Sequence, residues 1–132
     1  MPTITTFLMF EGNAGPAIEF YTALFPDSSV HSMTRWGDGG PGTPGSVQLA
    51  VFSIAGQRVM CIDSFVKHTF SFTPSTSMYV ACDTATEVDT LFSKLSDGGQ
   101  VLMPLDSYPF NARYAWVNDR FGVSWQLALS AQ

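Results

Sequence analysis

Positive charge is scarce in this sequence. Six Lys and Arg stand against eleven Asp and Glu, a formal net charge of −5, and charged residues of both signs make up only 13% of the 132 positions. An acidic surface repels phosphate backbones, which argues against nucleic acid as a partner. Cysteine is scarcer still: Cys61 and Cys82 are the only two. Both sit in apolar runs, Val59-Met60-Cys61-Ile62 and Tyr79-Val80-Ala81-Cys82, and read as reduced core residues rather than catalytic thiols. A reactive thiol wants a base or a helix N-terminus beside it; Cys82 meets that condition only in lying just before a helix start. Long apolar runs are missing too. None approaches the roughly 20 residues needed to span a bilayer. The first basic residue is Arg35, so the N-terminus lacks the charged start of a secretory signal. Together these absences predict a soluble cytoplasmic protein with no membrane or nucleic-acid partner.

What is plentiful is apolar and aromatic. Hydrophobic residues make up 45%, with eleven Phe, which excludes a disordered chain and suits a single domain with a sizeable core. The β-rich stretch Thr3 to Phe10 predicts a first strand, broken by Glu11-Gly12-Asn13. Asn13 is placed to cap a helix, and Pro16 is tolerated in a first turn. Ala17, Ile18, Tyr21, Leu24 and Phe25 then fall at helical spacing, until Pro26-Asp27-Ser28 stops them. Ser29 to Arg35 predicts a second strand. The segment from Gly37 to Gly45 reads as a loop or lid; it opens no helix and holds no lysine, which argues against a phosphate cradle. Strands follow at Ser46 to Ile54 and Gln57 to Asp63, joined by a tight Ala55-Gly56 turn. Residues 65–74 form a connector carrying Phe65, Phe70 and Phe72, suited to packing over a sheet or to lining a pocket.

The pattern then repeats. Ser77 to Cys82 predicts a strand, and Thr84-Ala85-Thr86-Glu87 has the form of a capping box. Val88, Leu91, Phe92 and Leu95 follow at helical spacing, and Asp97-Gly98-Gly99 is a stop signal. Strands are expected at Gln100 to Leu105, Ala112 to Val117 and Val123 to Leu129. In the last one, Val123, Trp125, Leu127 and Leu129 face a helix, while Ser124, Gln126 and Ala128 face the other way and suit a cleft lining. Each half therefore reads strand, helix, three strands, with Phe20 matching Phe92 across a period of about 72 residues. The implied fold is α+β: two βαβββ modules, about 3–64 and 75–129, forming a curled mixed sheet around a cleft.

Several segments carry a family resemblance. They are Phe7-Leu8-Met9-Phe10-Glu11-Gly12-Asn13-Ala14, Ile18-Glu19-Phe20-Tyr21, Leu24-Phe25-Pro26-Asp27-Ser28, Pro41-Gly42-Thr43-Pro44-Gly45-Ser46-Val47, Phe70-Ser71-Phe72 and, most specific, Asp119-Arg120-Phe121-Gly122-Val123-Ser124-Trp125-Gln126. From about Ile4 to Leu129 the chain resembles the vicinal oxygen chelate superfamily, also called the glyoxalase, bleomycin-resistance and dioxygenase fold, and within it the PhnB-like branch. Some relatives in that branch are named demethylubiquinone methyltransferases. The chain shows no glycine-rich strand-to-helix turn for a nucleotide-like cofactor.

The resemblance implies metal-ligand positions near Thr6, near Asp63, at Ser77 and at Gln126. One carboxylate, one amide and two hydroxyls form a poor first shell for a transition ion. Asp63 and Gln126 are therefore only weak metal candidates, no cofactor is expected, and a divalent metal is the alternative. His31 and His68 fall outside these positions. The favoured reading is a small-molecule-binding protein with a cleft lined by Thr6, Asp63, Ser77 and Gln126 and walled by Trp36, Phe70 and Phe72; Asp63 would favour a cationic or hydroxyl-rich ligand. The alternative is an isomerase, lyase or dioxygenase, with Asp63 as base or ligand. The resemblance also implies a homodimer.

Overall fold

The computed structural model describes residues 1–130. The chain divides into two compact units inside the aromatic connector, one covering Met1–His68 and the other beginning at Thr69.

The first unit holds β1 (Thr6–Phe10), α1 (Ala14–Leu24), β2 (Ser29–Arg35), β3 (Val47–Ile54) and β4 (Gln57–Asp63). The second holds β5 (Met78–Cys82), α2 (Ala85–Ser96), β6 (Gln100–Tyr108), β7 (Asn111–Asn118) and β8 (Ser124–Leu129). Each unit contributes one four-stranded mixed sheet, in the orders β1-β4-β3-β2 and β5-β8-β7-β6. In both, the first and last strands pair in parallel and the others antiparallel. The expected α+β fold and its repeated βαβββ order are thus present.

Two strand boundaries depart from the sequence reading by more than one residue. β1 starts at Thr6, not Thr3. β6 runs on to Tyr108, through Pro104, instead of stopping at Leu105. A proline lacks the N–H that a central strand needs, but β6 is an edge strand and its pairing with β7 is irregular around this point, so Pro104 fits there.

The faces of each sheet are set by side-chain contacts to the helices. In the first unit the Asp63 carboxylate accepts hydrogen bonds from Gly12 N and Ala14 N at the start of α1. Asp63, Cys61 and Val59 therefore point to the helix side, together with their partners Phe10, Leu8, Ala50 and Phe52. All seven are buried against a helix stripe of Ala14, Ala17, Ile18 and Tyr21. In the second unit Arg113 on β7 donates to Asp89 on α2 at 2.7 Å. That bond puts Arg113, Ala115 and Val117 on the helix side, with Trp125 and Leu127 opposite them on β8. Trp125 is 2% exposed, as its assignment to the core requires.

The two helices begin by different means. In α2 the Thr84 hydroxyl accepts from Glu87 N, and the Glu87 carboxylate accepts from Thr84 N and Asp83 N. In α1 the Asn13 side chain makes no cap bond, contrary to the sequence reading. Asp63, arriving from the end of β4, does that work instead.

Candidate functional site

Removing the helix-facing residues leaves one open face on each sheet, and the two differ in chemistry. On the first sheet the open positions are Phe7 and Met9 of β1, Met60 and Ile62 of β4, and Val51 of β3, joined by the pairs Phe7↔Met60, Met9↔Ile62 and Val51↔Met60. These five are apolar, and Phe7 stays 52% exposed; toward the β3–β4 turn the same face carries Ser53 and Arg58, paired with each other. On the second sheet the side away from the helix carries Tyr79 of β5, Gln126 of β8, Trp116 of β7 and the buried Tyr114 of β7, with Tyr79↔Gln126 and Trp116↔Gln126 paired across strands.

On this second face the polar groups form a chain. The Tyr114 hydroxyl donates to Gln126 Oε1 at 2.6 Å, and Gln126 Nε2 donates to Ser77 Oγ at 2.7 Å. Trp116 Nε1 donates to Ser124 Oγ at 2.8 Å. These bonds fix the orientation of the Gln126 amide but do not exhaust it; an amide has two N–H donors and two lone pairs on oxygen, so one of each remains. Burial pushes the Tyr114 phenol above its ordinary range, with the phenols of Tyr79 and Tyr108 adding to the effect. Tyr114 is therefore a neutral donor throughout the physiological range. Aromatic rings flank the chain. Tyr108 and Phe110 stack at 5.4 Å, and both meet Tyr114 edge-on. Tyr79 and Phe110 remain more than 60% exposed.

The structure brings Ser77 and Gln126 together and treats the other anticipated residues differently. Thr6 pairs with Val59 and has the helix-side parity of Leu8 and Phe10. It also lies at the opposite end of the β1–β4 pair from Asp63, four steps or about 13 Å along the strand. Asp63 does not face the open side of its sheet. It is 4% exposed. Its Oδ1 accepts from Gly12 N and Ala14 N, and its Oδ2 from Val47 N at 2.9 Å. Its charge is already matched by three amides, so the expected attraction for a cationic ligand has no basis in its position; nor does it bond Arg58, Arg113 or Arg35. Trp36 belongs to the first unit, where its indole meets Phe65 edge-on at 5.8 Å under the glycine loop. Phe70 and Phe72 belong to the second unit; Phe70 is 60% exposed and Phe72 is half-buried beside Gly122.

Sequence reasoning missed Tyr79, Tyr114 and Trp116. A signal for two of them was present. In Arg113-Tyr114-Ala115-Trp116-Val117 the aromatic rings share one parity and the smaller apolar residues the other.

The donor set suits a resident metal poorly. The first sheet's open face offers carbon, thioether sulfur, the Ser53 hydroxyl and the cationic Arg58, and the second offers hydroxyls and one amide. Among the described residues no group of three His, Cys, Asp or Glu is placed to hold an ion. His31 bonds Ser53 and His68 bonds Ser64. Both cysteines are free and buried.

Comparison with known proteins agrees with this architecture. The model of the family described as 3-demethylubiquinone-9 3-methyltransferase matches residues 2–128. A PhnB protein from Bacillus cereus has a solved structure with 53% identity over 98% of this chain and 100% of that one, at a TM-score of 0.95. A genomically encoded fosfomycin resistance protein, FosX, from Listeria monocytogenes is 10% identical over 99% of this chain and 94% of its own, with a TM-score of 0.65. A glyoxalase-related enzyme from Fulvimarina pelagi is 16% identical over 98% and 89%, with a TM-score of 0.58. The last two show a shared fold. No curated protein matches the chain.

Proposed function

The chain belongs to the 3-demethylubiquinone-9 3-methyltransferase family, a PhnB-like family of the glyoxalase and bleomycin-resistance superfamily, and from that premise we propose that it is a small-molecule-binding protein working without a resident metal. The observation that carries this reading is the Tyr114–Gln126–Ser77 chain on the open face of the second sheet. An amide held rigid by two neighbours, with one donor and one acceptor left over, is a specificity element. Exposed aromatic rings around it supply apolar area. The ligand is a molecule with a flat apolar body and one group, such as an amide, carboxylic acid or enol, that both donates and accepts. Asp63 takes no part in this site.

The methyltransferase description does not match the chain's own strand-to-helix turns. A nucleotide-like methyl donor needs open backbone amides at such a turn. Here Gly12 N and Ala14 N are bonded to Asp63, and the start of α2 is closed by Thr84 and Glu87. Methyl transfer is not part of this proposal.

A thermal-shift screen of aromatic acids and amides tests the binding site. Compounds that stabilise the native protein should lose most of that effect with Gln126→Leu and part of it with Tyr114→Phe. Because Tyr114 stays neutral well beyond pH 7, the stabilisation by a non-ionising amide should be flat from mildly acidic to mildly basic pH. Retention of the full shift by both variants would contradict the assignment.

The reading extends to a cytoplasmic homodimer. Free cysteines suit a reducing compartment, and the apolar part of the first sheet's open face, with Phe7 exposed, suits a second copy. One native mass spectrum checks both dimer and metal. The expected species is twice the 14.4 kDa chain with no metal increment. A monomer would remove the dimer, and a stoichiometric Fe, Zn or Mn increment would remove the metal-free reading.

A further inference from the structure

A second concave site lies in the first unit, away from the residues assigned above. It is a pocket of about 430 Å³ beneath the glycine loop, whose walls include Glu11, Arg35, Thr43, Ser46, Asp63 and Ser64. The volume leaves ample room for a small ligand.

The charges on its walls are arranged unusually. Among the described residues the Arg35 guanidinium makes one hydrogen bond, from Nη1 to Gly45 O at 2.9 Å. Its guanidinium hangs over the first turn of α1, where Nη1 would stand 3.4 Å from a Cβ placed on Gly15. A cation at the positive end of a helix dipole is poorly placed, and α1 has no acidic residue in its first turn. Asp63 does not compensate Arg35 directly, because its two oxygens face three backbone amides. Glu11 lines the same pocket and forms no bond or ion pair with Arg35 or with any other described residue. The Thr43 hydroxyl is likewise unengaged. One pocket therefore presents an unpaired guanidinium and an unpaired carboxylate that do not neutralise one another.

That arrangement selects among ligands. A simple anion would meet Arg35 but also Glu11. A simple cation would meet Glu11 but also Arg35. A molecule carrying both an oxyanion and an ammonium satisfies both walls, with Thr43 available to the oxyanion. We propose that this pocket binds a small zwitterion of the amino-acid type, its acid group on Arg35 and its ammonium toward Glu11. The remaining guanidinium N–H groups can take a carboxylate in a fork.

The test is a titration of the isotope-labelled full chain, followed by backbone amide NMR, with glycine, β-alanine and 4-aminobutyrate as probes. Propionate and propylamine, each carrying one of the two charges, serve as controls. At least one zwitterion should shift the amides of Gly12, Gly45, Ser46 and Ser64. It should bind about fivefold more tightly than either control, since each partly solvated ion pair contributes on the order of 1 kcal/mol. Arg35→Gln should reduce its affinity to that of propylamine, and Glu11→Gln to that of propionate; both residues are exposed, so both variants fold. The proposal fails if no probe shifts those amides, or if propionate or propylamine binds as well as the best zwitterion. Neither failure touches the Gln126 site, whose own test uses different compounds and variants.

Discussion

At the scale of single residues, the two cysteines and the two buried aspartates are each explained by what surrounds them. Burial pushes the Cys61 thiol up to about 12, with the charge of Asp63 adding to the effect, and the Cys82 thiol up to about 11, with Glu87 and Asp83 adding there. Both are therefore neutral thiols at physiological pH, and the closeness of Cys82 to a helix start does not activate it. An aromatic disulfide reagent should find no reactive thiol in the native protein at pH 8 and two after denaturation; rapid native reaction at either position would contradict this. The sign of the pH effect follows. Unfolded thiols ionise near 9, while the folded ones hold their protons to higher pH, so stability is complete below 9 and declines above it. Asp119 shows why the most specific motif of the sequence has its form. Its Oδ1 accepts from Phe121 N and Val123 N, and its Oδ2 accepts from Trp125 Nε1 at 2.9 Å. One carboxylate thus shapes the turn and positions the core indole two residues into the final sheet register, with Gly122 supplying the left-handed backbone at φ +93°.

Among the elements, the two modules solve one problem in two ways. Each must close the N-terminus of a helix that follows its first strand. The second module does so locally, with a capping box readable at three-residue spacing. The first does so from a distance, with Asp63 reaching from the end of β4 to Gly12 N and Ala14 N, and also to Val47 N where the glycine loop enters β3. Asp63 therefore joins α1, β3 and β4 at one point. Asp63→Asn keeps the volume but replaces one acceptor oxygen with a donor that faces an amide. It should cost about 3 kcal/mol, from the weakened bonds and an unsatisfied buried group, read as a lower midpoint in urea. A change below the measurement error would show that the three bonds contribute nothing net.

The same contrast explains what was legible. Strand–helix–three-strand order, both helices, the α2 cap and the parity of β8 were visible, because alternation and helical spacing are local. Thr6 and Asp63 were misplaced because β1 and β4 are apolar on both parities: Phe7 and Met9 alternate with Leu8 and Phe10, and Met60 and Ile62 with Val59 and Cys61. Such strands give no internal clue to which face meets the helix. β7 did carry that clue, in Tyr114 and Trp116 against Ala115 and Val117.

At the scale of the whole molecule, repetition has left two sheets of one topology with open faces of opposite character. The first is mainly apolar, with Ser53 and Arg58 toward one end. The second carries a hydrogen-bonded amide among aromatic rings. A single chain can therefore devote one copy of the fold to association and the other to recognition, and no metal is needed for either task as proposed. Everything in that division rests on Gln126 being the recognition group. The most direct measurement is the NMR signal of the Gln126 side-chain NH₂ pair, assigned by its loss in Gln126→Leu and followed as the best compound from the thermal-shift screen is added. The account predicts that this pair shifts in step with the indole N–H of Trp116 and with saturation of binding. A ligand that saturates the protein while both signals stay in place would show that the open face of the second sheet is not the binding site.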